Sequence, residues 1–389
     1  MKIKVAGLVI IIIVLISGSC KKDPGSSTED PIDTNDTIVK FTDDNFLRAL
    51  IEKGVDRNGD LIITRREAEL INYLNLNGDS ISDMTGIEAF VNLEWLYCSN
   101  NQLTKLTLPE SNSLIYLDCQ YNKLSFLDAA KCEALEHIYC YNNQLTSLDL
   151  TENSSLKELN CDYNSLTVLN VSGNTALVDL SCYSARLANL NVSNNPELKR
   201  INCDNNFLTS LFVSGCPSLE ILSCGGNRIT ELDISANTAL KSLNCSYNFL
   251  LNVLDVSKNT ELTNLSCGGN NMTSLDILNN YGITYLYCSE NQLTALDITG
   301  CTNLKQLYCD HNQINSLDLN NNTQLQALNC TSNKLTSLDL SKNIDLSILM
   351  LNYNPSLTRV CVWTMPFPPP ECLIFKDGCP DLYFTIDCL

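Results

Sequence analysis

The chain has 389 residues, 44 of them Asp or Glu and 25 Lys or Arg, for a formal net charge of -19. Phosphate binding needs clustered basic residues, so this balance argues against a nucleic-acid partner. Twenty cysteines imply either an oxidising compartment or buried structural thiols, and their positions decide which.

Lys2 and Lys4 precede an apolar run from Val5 to Ile16, which leads to Ser17, Gly18, Ser19 and Cys20. A charged start, a short apolar stretch and small residues before a cleavage point predict a signal peptide over residues 1–19. The run of twelve residues is shorter than the ~20 a bilayer-spanning helix needs. The approach to Cys20 resembles a bacterial lipoprotein lipobox, with Ser17 where Leu is usual, as in the looser Bacteroidota-type signals. That resemblance implies lipidation at Cys20 and a place in the cell envelope, on the outer membrane facing the exterior. Residues 20–38 hold little that is apolar and read as a flexible tether, roughly 20–25 Å in r.m.s. length.

Residues 39–72 predict a small helical N-terminal cap. Phe41 to Leu47 reads as a capped helix start running to Gly54. The stretch Asp56 to Glu67 then resembles an EF-hand loop: Asp56, Asn58, Asp60, Thr64 and Glu67 fall at positions 1, 3, 5, 9 and 12, the oxygen-ligand pattern of calcium. The departure is Leu61 at position 6, where the sharp turn favours Gly. The other reading is a capping box, with Thr64 and Glu67 starting the next helix. Both stay open from the residues alone.

Residues 73–360 are a repeat. Cysteines recur at 98, 119, 140, 161, 182, 203, 224, 245, 267, 288, 309 and 330, always 21 residues apart except for one interval of 22. Leu76 and Leu351 take the same place at the two ends, giving about 14 repeats. The frame Leu135-x-x-Ile138-x-Cys140-x-x-Asn143-x-Leu145 resembles the leucine-rich repeat (LRR), with Cys in the third leucine slot. This resemblance implies an α/β LRR solenoid whose parallel strands line a concave face. The physics agrees, because alternate residues of Ile138-x-Cys140 share one face and only stacked copies can bury it. So short a repeat leaves room for turns or 3₁₀ pieces on the convex side. An Asn three residues after each ladder position can satisfy backbone groups there, and Ala185, its one replacement, predicts a local defect. A second Asn position becomes Cys132, Cys216 or Cys301 in three repeats. A single line of thiols facing the core lacks the converging ligands of a zinc site, so the ladder reads as structural. The helical cap followed by Leu76, Ile81 and Ile87 resembles internalin-type LRR proteins.

Residues 361–389 read as a C-terminal cap, with Cys361, Cys372, Cys379 and Cys388 around the run Pro366-Phe367-Pro368-Pro369-Pro370. Four cysteines off the ladder suggest disulfides. Of the three possible connectivities, the nested one is favoured: Cys361–Cys388 with Cys372–Cys379.

In LRR proteins the outward strand positions of the concave face make the binding surface. The first rungs place Trp95, Tyr97, Tyr116, His137, Tyr139 and Tyr141 there, a density of aromatics that suits recognition. Cross-strand stacking is the alternative role for these rings. The middle rungs offer Ser223, Gly225, Ser266 and Gly268, and a weaker cluster follows at Tyr285, Tyr287 and Tyr308. These features point to a protein-binding adhesin or receptor-like surface protein. A carbohydrate-capturing lipoprotein is the alternative, since such platforms beside Asp and Asn also suit sugars. An enzyme is not expected, because His137 and His311 are the only histidines and lie eight repeats apart.

Overall fold

The structure, a computed structural model, describes residues 36–388. The predicted signal peptide, Cys20 and most of the tether lie outside them.

Each repeat contributes one three-residue strand, and fifteen such strands stack in parallel from Tyr73–Asn75 to Leu373–Phe375. Register is uniform, with Leu96 beside Leu117 and Leu117 beside Ile138. The middle residue of each of these strands but the last is buried, and its neighbours are more exposed apart from Asp118 and Ala327. Two residues further on, the ladder position turns inward again, so Cys98 to Cys330 form a continuous buried line. Burial pushes every ladder thiol up, to about 12 at Cys140, Cys245, Cys288 and Cys330. These groups stay neutral and pack as small hydrophobes.

Two columns of asparagine close the turns. In the first, Asn143 Nδ2 donates to Cys119 O and Cys140 O, both at 3.0 Å, while its Oδ1 accepts from Leu124 N at 2.9 Å. Asn122, Asn227 and Asn312 repeat the scheme. Where Ala185 breaks the column, Asn206 Oδ1 takes both Ala185 N and Leu187 N, and Arg186 joins Ser184 at positive φ. The expected defect is present and stays within one turn. In the second column Asn237 Nδ2 donates to Val213 O and Cys216 O, but its buried Oδ1 has no partner. This column needs a donor alone, and a thiol supplies one. Cys132 Sγ reaches Pro109 O at 3.2 Å and Cys216 Sγ reaches Val192 O at 3.3 Å.

Away from the fifteen-stranded sheet the repeats run through turns, as expected, together with short second sheets such as Lys105–Thr107 beside Phe126–Asp128. One 3₁₀ turn, Ile87–Ala89, occurs among the described residues.

At the N-terminal end a helix, Asp44–Glu52, buries Phe46, Ala49 and Leu50 against the first rungs. Asp43 caps it, and the same carboxylate accepts Ser82 N, Ser82 Oγ and Asp83 N at 2.6–3.1 Å. One side chain therefore joins helix and solenoid. Gly86 sits at φ 107° against the Phe41 ring, where a Cβ would come within 2.8 Å.

The C-terminal segment continues the stacking. Leu373–Phe375 pairs with Ile348–Met350, and Tyr383–Thr385 pairs with Arg359–Cys361. A disulfide joins Cys361 to Cys388. The expected bond between Cys372 and Cys379 is absent, because the two residues serve different layers. Cys372 packs in the core, its N–H closing a turn onto Pro369 O as Leu346 N does onto Asn343 O. Cys379 Sγ lies 3.2 Å from Leu351 O, the carbonyl-binding role that Asn354 plays one rung earlier toward Cys330 O.

Candidate functional site

The outward positions of the first strands bring five of the six aromatic residues together, all but Tyr141. Tyr116 is central: its ring centroid lies 5.2 Å from Trp95, stacked at 26°, 5.0 Å from Tyr97, 5.4 Å from Tyr139 and 5.8 Å from the His137 ring. Tyr141 meets Tyr121 edge-on at 5.3 Å. Tyr73, on the first strand, adds to the cluster through Tyr97 at 5.6 Å and is more exposed than any of the six. The signal for Tyr73 was in the frame, since it stands three residues before Leu76 as Trp95 stands before Cys98. The rings thus do two things at once. Each packs on a neighbour, and Trp95 remains 36% exposed.

Carboxylates border this patch. The Tyr139 hydroxyl donates to Glu158, whose carboxylate also lies 3.4 Å from His137 Nδ1. Glu136 stands 3.9 Å from His137 Nε2 and pairs with Lys157. Asp118 is buried between Tyr97 and Gln120, and burial pushes its carboxyl above the usual range. Burial likewise raises the hydroxyls of Tyr116 and Tyr139, so both act as neutral donors.

The middle rungs form a different surface. Small residues there leave a groove of about 560 Å³, lined by Asp204, Asn205, Gly225, Gly226, Asn244, Ser246, Tyr247, Ser266, Tyr285 and Tyr287. A Cβ on Gly268 would strike the Tyr287 ring at 2.2 Å, so glycine is what lets that ring lie flat along the sheet. The hydroxyls of Tyr247 and Tyr287 meet at 2.9 Å. Tyr285 and Tyr287 sit 5.8 and 6.5 Å from Tyr308, and the first two of these rings form one wall of the groove. Asp204 and Tyr247 were not expected at a site.

The Asp56–Glu67 loop is closed by hydrogen bonds from its own backbone to its acidic side chains. Leu61 adopts φ 66°, the left-handed turn that costs a branched residue ~1–2 kcal/mol. Asp56 accepts from Gly59 N and Leu61 N, and Asp60 from Ile62 N. Glu67 Oε1 accepts from Arg57 N while Oε2 accepts from Thr64, and the capping box is complete. Loop closure and capping box are therefore one arrangement, and Asp56, Asn58, Asp60, Thr64 and Glu67 offer oxygen donors suited to a hard cation. Among the described residues, the one group of three acidic, Cys or His side chains with ligand atoms mutually within 4.8 Å is Asp339, Cys361 and Cys388, two of which share the disulfide.

A family model for leucine-rich repeats, in two copies, matches residues 281–322. The functional domain of InlJ from Listeria monocytogenes, described as including a cysteine ladder, is 35% identical at a TM-score of 0.73, over 83% of this chain and 74% of that one. The chain belongs to the leucine-rich-repeat family. This LRR chain shares its fold, at 20% identity and a TM-score of 0.62, with an internalin (inlF) from Listeria monocytogenes, over 88% of this chain and 95% of that one. It also shares it with the Arabidopsis receptor kinase HAESA, solved in complex with the peptide hormone IDA and the co-receptor SERK1. There the identity is 19% and the TM-score 0.59, over 78% of this chain and 56% of that one. No curated protein sequence matches the chain.

Proposed function

We propose that this LRR chain is a lipid-anchored cell-surface protein that recognises a protein ligand through Trp95, Tyr97, Tyr116, His137, Tyr139 and Tyr141. The observation that carries the reading is the ring cluster around Tyr116, preassembled on outward strand positions that the repeat frame does not need. Rigid aromatics with exposed faces and polar tips supply contact area at small ordering cost. HAESA, on the same architecture, holds a peptide hormone and a protein co-receptor. Attachment rests on Lys2, Lys4, the apolar run and Cys20; Cys20→Ala should move the protein from membranes to the soluble fraction. Calcium held by Asp56, Asn58, Asp60, Thr64 and Glu67 would rigidify the cap. Calcium should then raise the melting temperature of the wild type, as a ligand of the native state does, and not that of Asp56→Ala.

The deciding experiment presents the full chain to a panel of extracellular proteins beside a glycan array. The reading expects a protein ligand whose affinity falls about thirtyfold or more, on the order of 2 kcal/mol, in the Trp95→Ala, Tyr139→Ala double variant. Glycan binding without any protein ligand would replace it with the carbohydrate reading.

A further inference from the structure

The central groove holds a second kind of chemistry. Its lining residues include a single charged group, Asp204, and no Lys or Arg. Asp204 accepts Gly225 N at 2.6 Å and Asn244 Nδ2 at 3.2 Å, and among the described residues no ion pair reaches it. Arg200, on the strand Arg200–Asn202 that leads to Asp204, is committed to Asp179 at 2.5 Å. Ser246 is 5% exposed, lines the groove, and its Oγ has no hydrogen-bond partner. A buried hydroxyl left unpaired costs free energy, so this one awaits a donor or acceptor from outside the chain. The opposite wall is the pair of tyrosine faces, Tyr285 and Tyr287, with the Tyr247 hydroxyl beside them.

The carboxylate at one end suits one guanidinium and the aromatic faces, on a strand four pairings further along, suit another, with the unpaired hydroxyl between them. That group donates in a plane to a carboxylate and stacks on aromatic faces. The groove's volume lies in the range of sites that enclose a small ligand. The overall charge of -19 adds long-range attraction for a basic partner. We propose that the groove between Asp204 and Tyr287 receives an extended basic segment of a protein ligand, with an arginine paired to Asp204. The partner class rests on the protein-binding reading above, whereas the groove itself is a separate site. Burial raises the Asp204 carboxyl above its usual range, which fits a group kept in the fold at some cost to stability.

The test titrates the full chain at low salt with acetyl-triarginine amide, following tyrosine fluorescence, with chitotriose and acetyl-triglutamate amide in parallel. Triarginine should bind saturably, and Asp204→Asn, which keeps an oxygen for Gly225 N, should weaken it at least tenfold. Ser246→Ala should weaken it severalfold without lowering the melting temperature, since the hydroxyl supports nothing in the fold. Glu152→Gln, an exposed turn position, removes the same charge and should change affinity less than twofold. Equal losses in Asp204→Asn and Glu152→Gln would reduce the effect to bulk charge and overturn the proposal. Saturable chitotriose binding with no triarginine binding would overturn it as well. No protein ligand is needed for this measurement, so an empty protein panel defeats the earlier reading and leaves this one to its own outcome.

Discussion

The two asparagine columns look alike in sequence and differ in what they do. Asn143 and its equivalents use both ends of the amide, donating to two carbonyls and accepting a backbone N–H from the rung before. Asn237 and its equivalents donate to two carbonyls and leave Oδ1 buried and unpaired. The difference explains the substitutions inside the chain. Cys enters the donor-only column three times, at Cys132, Cys216 and Cys301, while the two-ended column is broken internally only by Ala185, with a remodelled turn. Cys379 takes the two-ended position only at the last rung. The residue tolerated at a buried polar site is set by how many hydrogen bonds that site must satisfy.

The largest effect should come from forcing Cys into the first column. Asn143→Cys leaves Leu124 N–H without its acceptor and weakens the donation to Cys119 O and Cys140 O. A buried group left unpaired costs ~1–3 kcal/mol, so the variant should lose about 3 kcal/mol or more in urea unfolding. A loss below 1 kcal/mol would erase the distinction between the columns.

The next effect sharpens the comparison at the cap, where Asp43 serves helix and solenoid together. Burial alone would raise its carboxyl, but hydrogen bonds from Ser82, Phe46 and Asn45 outweigh that and bring it from 3.8 down to about 2. A depressed carboxylate stabilises the fold above its unfolded value and loses that contribution as pH falls toward its folded value. The expected loss is about 2 kcal/mol between roughly pH 4 and pH 2. Asp43→Asn should flatten this part of the stability–pH curve; an unchanged curve would show that the cap does not depend on the charge.

Outward positions supply the contrast to both columns. Trp95→Ala removes a ring stacked on Tyr116 at 5.2 Å but leaves every frame residue in place. Such a pair contributes ~0.5–1.5 kcal/mol, so stability should fall by about 1 kcal/mol. Ligand affinity should fall further, and a stability loss as large as that of Asn143→Cys would assign the ring to packing.

How much of this was legible depends on whether the signal was periodic. The ladder, the inward leucines, both Asn columns and the ring cluster follow from a 21-residue frame, and the structure keeps that frame. The last rung was hidden because 25 residues separate Leu351 from Lys376, the residue that follows strand Leu373–Phe375 by one, with a proline-rich stretch between. That shift disguised Cys379 as a disulfide partner, although it falls three residues after Lys376 in the asparagine position. The left-handed turn residues were also silent, since Tyr121, Tyr163 and Tyr247 occupy φ values of 50–56° that sequence usually marks with Gly or Asn. The groove was missed because Asp204 and Tyr247 belong to rungs two apart. They become one site only through Asn244 and Tyr287, which reach back across the sheet.

The smallest expected effect is the one most diagnostic of the comparison. Asn237→Cys gives up two amide donations, to Val213 O at 3.0 Å and Cys216 O at 2.7 Å, and gains one thiol donor. Against that loss it removes a buried oxygen that has no partner, a relief of ~1–3 kcal/mol. The two contributions oppose each other, and the chain itself makes the exchange at Cys216, one rung earlier in the same column. Stability should therefore change by less than about 1 kcal/mol. Asn237→Ala, with no donor at all, separates the contributions: it enjoys the same relief but leaves both carbonyls unserved, and should be the less stable of the two variants. If the alanine variant matches the cysteine variant in urea, the thiol contributes nothing as a donor, and Cys132, Cys216 and Cys301 are there for their size alone.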